Sequence, residues 1–196
     1  MSDPLRPLWD FDDLDATEAR FRALRAEALT QLARVQGLRE DYDAGDRLLD
    51  EVTEENARVR IRVDLERGRL RRSAGDPEAA LPLLERAFAA AVEAGEDWLA
   101  GDAAHMCALA TPGREGFVAW TNRGLELAER SPAAAYWAGP LLNNLGWEHF
   151  DAEEYEQALE LFERALAVRE RDPENQAAIE HAREAVAEAR KALGRD

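Results

Sequence analysis

Small and large residues recur at helical offsets between Leu141 and Pro173, and no other stretch limits the fold as tightly. Leu142, Leu145 and His149 share one helical spacing, with Gly146 among them. Asp151-Ala152-Glu153-Glu154 reads as a turn. Tyr155, Ala158, Leu159, Phe162, Ala165 and Leu166 then mark one face of a second helix. Gly146 and Ala158 lack bulk, so two backbones can approach closely there, with Leu145 and Phe162 filling the space beside them. A hairpin of this kind cannot bury its apolar face alone and needs neighbours.

These residues resemble a tetratricopeptide repeat: Leu142-x2-Leu145-Gly146-x2-His149, then Tyr155-x2-Ala158-x3-Phe162-x2-Ala165. Leu142 stands where the family has Trp and His149 where it has Tyr, and Pro173 falls slightly late. The resemblance implies an all-α fold: a right-handed superhelix, or solenoid, of about four helical hairpins plus a C-terminal capping helix. Weaker copies are then expected elsewhere. Equivalent first-helix residues are Ala33, Gly68, His105 and Gly146, separated by 35, 37 and 41 residues; the family unit is about 34. The array spans 15–173, with copies over 15–54, 55–95, 96–132 and 133–173. Residues 174–196 form the cap and tail, and 1–14 an N-terminal arm.

Composition agrees with helices. Ala, Leu, Glu and Arg dominate, and these favour helix. Hydrophobic residues make up 46% and charged residues 34%, a balance that suits a soluble protein with a core. The formal net charge is −16, which argues against nucleic acid as a partner. Residues 58 to 72 depart from it, with seven arginines against Asp64 and Glu66. Cys107 is the single cysteine, so no internal disulfide can form. No apolar run reaches membrane length and no secretory signal opens the sequence, so a cytoplasmic location is expected. Arginine outnumbers lysine 24 to 1, a bias often met in high-GC bacterial coding.

Taken in order, the arm is interrupted by Pro4 and Pro7, and Trp9, Phe11 and Leu14 alternate with aspartates. It either covers the open end of the first helix or enters a basic groove, in its own molecule or a neighbour's. A helix is expected after Asp15, which can cap it with Glu18 three residues on. Leu24, Ala28, Leu32 and Val35 continue its helical stripe. Further helices are expected over about 42–53, 56–73, 77–93 and 97–110, and across 114–130 and 133–150, the last kinked at Gly139-Pro140. Phe117 stands where the family has a small residue. Trp98, Trp120 and Trp137 read as filler between helices. A final helix covers about 174–193.

In this family the first helix of each pair lines a concave surface. Matching the copies puts Thr30, Arg34 and Gly37 there, then Arg62, Leu65, Arg69 and Arg72, then Asp102, Met106 and Leu109, then Asn143, Trp147 and Phe150. Arg58, Arg62, Arg69 and Arg72 share one helix face by their spacing. Arginine presents a planar fork of donors suited to carboxylates, Asn143 can bond a peptide backbone, and Trp147 offers a flat apolar anchor. Arg34, Arg62, Arg69, Arg72, Met106, Asn143 and Trp147 are therefore the expected site for an extended acidic-aromatic peptide. The competing reading pairs these arginines with Glu27, Asp102 and neighbouring acids. Some relatives grip a chaperone's terminal carboxylate with Lys, Asn and Arg. Those places hold Thr30, Arg34, Glu66, Asp102 and Met106 here, so that clamp is absent.

Catalysis is not indicated. His105, His149 and His181 lie on separate helices, no metal-ligand pair stands at i, i+4, and no Gly-rich phosphate loop is present. Glu54-Glu55 and Glu153-Glu154 read as solvated residues. The expected function is non-catalytic protein or peptide binding, without metal or cofactor. Self-association through the array ends or the arm, as in a homodimer, and service as a regulatory module of a signalling or transcription system are the alternatives.

Overall fold

The computed structural model describes residues 5–53 and 56–195. Pro4 and the Glu54-Glu55 pair lie outside the described residues. The fold is all-α, with nine α-helices and two short 3-10 turns among the described residues. The chain divides into two compact units, 1–94 and 95–196.

The first unit holds a 3-10 turn η1 (Arg6–Leu8), α1 (Leu14–Leu38), α2 (Tyr42–Asp50), α3 (Ala57–Ser73) and α4 (Pro77–Ala94). Helix α1 packs on α2 and α3, and α3 packs on α4. The cap of α1 is Asp13 rather than the expected Asp15: its backbone is extended and its side chain accepts from the Ala16 amide at 2.9 Å. Asp15 sits in the first turn. Asp41 and Asn56 cap α2 and α3 in the same way. Helix α2 stops at Asp50, three residues before the expected end. Pro82 lies inside α4 without breaking it.

The buried side of α1 lies away from Leu24, Leu32 and Val35. Leu24, Ala28, Leu32 and Val35 are exposed, whereas Ala26, Leu29 and Ala33 are buried. Close approach explains the choice: Ala33 clusters with Leu49 and Leu70, and a larger side chain would hold the helices apart.

The arm is docked. Trp9 stacks on Phe11 and meets Phe21 edge-on, both with ring centroids 5.4 Å apart. The Thr17 hydroxyl donates to the Asp10 carbonyl at 2.9 Å and accepts from the Asp10 amide at 2.8 Å. It thus covers the start of α1, the first of its two expected placements.

The second unit holds α5 (Asp97–Ala110), α6 (Arg114–Arg130), a 3-10 turn η2 (Ala135–Trp137), α7 (Ala138–Asp151), α8 (Tyr155–Arg169) and α9 (Gln176–Ala192). Consecutive helices pack: α5 on α6, α6 on α7, α7 on α8 and α8 on α9. The expected kink at Gly139-Pro140 is absent. The segment is instead divided earlier into η2 and α7, and Pro140 falls in the first turn of α7, where a missing N–H forfeits no helical bond. Helix α9 begins two residues later than expected, capped by Asn175. Trp120 and Trp137 are buried, but Trp98 is 41% exposed and is not filler. It forms one aromatic group with Tyr136 and Trp137, at centroid distances of 5.1 and 5.4 Å.

Candidate functional site

Five of the seven arginines of α3 are sorted onto two sides by the helix period. Arg67 and Arg71 turn toward α2: Arg67 reaches Asp50 at 2.6 Å and Asp46 at 3.4 Å, and Arg71 reaches Asp46 at 2.5 Å. Arg58, Arg62 and Arg69 take another side. Arg58 and Arg62 pair with Glu27 of α1 at 3.1 and 3.6 Å. Arg69 donates to Glu66 at 3.1 Å, and Arg34 of α1 lies 3.8 Å from the same carboxylate. Glu66 is 2% exposed, so its charge is retained in the interior by these guanidinium groups.

Arg34, Arg58, Arg62 and Arg69 thus converge on two carboxylates, Glu27 and Glu66. Arg72 stands one turn beyond Arg69. The crevice bounded by Arg34, Gly37, Glu66 and Arg69 has a volume of about 30 Å³. That admits one water and no side chain, so this is a charged face rather than a slot.

The remaining expected residues belong to the second unit and do not share one environment. Met106 is 3% exposed and Asn143 is 5% exposed, so both are interior residues with no side-chain surface to offer a ligand. Helix packing claimed them: α5 is buried along most of its length, and Asn143 sits between Leu142 and the buried Leu145-Gly146 pair. Trp147 is half-buried, against Phe150 at 5.2 Å and Phe162 at 5.0 Å. It lines an open depression of about 420 Å³ with Leu109, Phe117 and Asn144.

Around Trp147 the hairpin α7–α8 closes tightly. A Cβ on Gly146 would collide with the Phe162 ring. Phe162 and Ala158 are fully buried, and Leu142, Leu145, Leu161 and Ala165 form the adjoining cluster. At the turn, His149 Nδ1 and Arg114 both lie 2.6 Å from the Glu154 carboxylate. Glu154 is therefore a tie across the turn and not a freely solvated residue. Arg114 first, and His149 after it, hold that carboxyl below the usual carboxylate range. Residues 141–171 match the family model described as "Tetratricopeptide repeat".

The chain carries a tetratricopeptide repeat. Repeats of this family serve protein–protein interaction, because stacked helical pairs leave long surfaces for a partner. No curated protein matches the chain, and no solved structure does. Among the described residues, no helix is long and apolar enough to cross a membrane, and no cluster of His, Cys, Asp or Glu could hold a metal ion. Sequence reasoning overlooked the inward role of Glu66, because an acid among seven arginines reads as surface charge. Its i, i+3 spacing from Arg69 was the available signal.

Proposed function

We propose that this chain is a non-catalytic protein-binding scaffold whose α3 arginine face recognises acidic peptide segments. The helix pairs α1–α2, α3–α4 and α5–α6 are read as degenerate copies of the repeat at α7–α8, and α9 as the cap. The observation that supports the binding reading is the gathering of Arg58, Arg62 and Arg69 on one side of α3, in a protein whose net charge is −16. Such a face attracts an acidic segment against the prevailing field, and its planar donors can bind carboxylates bidentately.

Titration with an acidic-aromatic peptide tests this reading. Arg58→Gln plus Arg62→Gln removes two positive charges while leaving the Arg69–Glu66 pair in place. The double variant should bind roughly tenfold more weakly or worse, and wild-type affinity should fall as salt rises. Equal affinity in the two proteins ends this reading.

One observation favours self-association as a second reading. Leu24, Leu32, Val35 and Leu38 are all exposed on α1, Leu38 to 81%. An apolar stripe along a terminal helix is a surface that a second copy can cover. Light scattering should then show a dimer that Leu32→Glu dissociates. A monomer at high concentration rejects it.

A further inference from the structure

The second unit contains a pocket that the binding face does not use. Its volume is about 400 Å³, the size of a small-molecule site. Trp98, Tyr136, Pro140 and Val168 form apolar walls, contributed by α5, η2, α7 and α8. The Trp98 and Tyr136 rings lie 5.1 Å apart, and both remain more than a third exposed. Large aromatic rings are usually covered once a fold is complete, because each buries much apolar area.

Charge at the back of this pocket is unusual for this protein. Arg169 and Arg171 line it, and neither has an ion pair among the described residues. Arg169 runs beside Gly139, where a Cβ would lie 3.3 Å from its Cγ. Its Nε is buried without a hydrogen-bond partner. Partial burial lowers the pKa of its guanidinium below the ordinary value, and the neighbouring Tyr136 acts in the opposite sense. A half-desolvated cation with an unused donor is costly unless an anion completes it. Asp172 also lines the pocket and makes no ion pair among the described residues. It would repel a dianion such as a phosphate more strongly than a single carboxylate.

We infer that this pocket binds a monocarboxylate carried on a flat apolar body, with Arg169 receiving the carboxylate and the Trp98–Tyr136 wall the apolar part. Two sources share this chemistry: a free arylalkyl acid, and the C-terminal aromatic residue of a polypeptide. The pocket lies within the second unit, so the inference is independent of the arginine face on α3.

Calorimetric titration of the full chain with 3-phenylpropionate, with its amide 3-phenylpropanamide, and with a short peptide ending in phenylalanine acid tests it. At least one acid should bind, and the tighter of the two acids names the source. The amide should bind roughly tenfold or more weakly, as should either acid to Arg169→Gln. Trp98→Ala, at an exposed position, should weaken binding with Arg169 intact. Should Arg169→Gln fail to fold, the acid-versus-amide comparison on the wild type decides alone. Equal binding of acid and amide, wild-type affinity in a folded Arg169→Gln, or no binding of either acid at about 10 mM overturns the inference.

Discussion

The carboxylate of Glu66, 2% exposed, accepts a hydrogen bond from Arg69 Nε one turn further along α3 at 3.1 Å. Arg34 stands on the other side at 3.8 Å. The first unit thus keeps an acid inside by surrounding it with guanidinium groups from two helices.

Arg69→Ala should destabilise the first unit by about 2–4 kcal/mol, because it takes a hydrogen-bonding cation from a buried carboxylate. Adding Glu66→Gln should recover part of that loss, since the uncompensated charge disappears. Chemical denaturation of the two single variants and the double variant measures the coupling. Strict additivity would show that the pair does not interact.

Gly146→Ala removes a residue that is poor for helix, which alone stabilises by about 0.5–1 kcal/mol. The added methyl meets the Phe162 ring, and overpacking costs about 1–3 kcal/mol. The net result should be a lower melting temperature, partly restored by Phe162→Leu in the same chain. A melting temperature that rises in Gly146→Ala would mean that the hairpin has room to spare.

Acid should loosen the α7–α8 turn. The Glu154 carboxyl titrates below its ordinary value because Arg114, and then His149, favour its charged form. A carboxyl depressed in the folded state stabilises above its unfolded pKa, and that contribution is lost as pH falls through the folded one. Thermal melts of wild type and Glu154→Gln should therefore differ near neutrality and converge below about pH 4. The gap should be small, since the tie is open to solvent. A gap that stays constant down to acid would remove the pair from the account.

Thr17→Val keeps the shape of the side chain and removes both bonds to Asp10. Hydrogen exchange at the Asp10 amide should accelerate strongly, with little change in the α3 and α4 amides. The arm's aromatic contacts, Trp9 on Phe11 and Phe21, would then hold it alone. Unchanged exchange at Asp10 would show that those rings suffice.

Helix positions were legible because capping, glycine stops and apolar spacing act within a few residues. Asp76-Pro77 and Gly95 mark the start and the end of α4 directly, and Gly75 and Gly95 both adopt positive φ. The register of the α7–α8 hairpin was legible too, since Gly146, Ala158 and Phe162 report a close contact by size alone. Which side of α1 is buried was not. Leu24, Leu32 and Val35 are exposed, whereas Ala26, Leu29 and Ala33 are buried, and Ala33 meets Leu49 and Leu70 of the neighbouring helices. The distance between packed backbones, invisible in one helix's own pattern, made that choice.

The same division holds for the binding residues. From local spacing, the sequence determined that the chain is helical, that it carries the repeat, and that α3 bears a crowd of arginines. Tertiary structure decided which arginines pair, that Glu66 lies inside, that Met106 and Asn143 are covered, and that Trp98 and Tyr136 stand open beside Arg169. Periodicity places a residue on a face. Whether that face meets protein or water depends on which helices come to rest against it, and that is a property of the assembled unit.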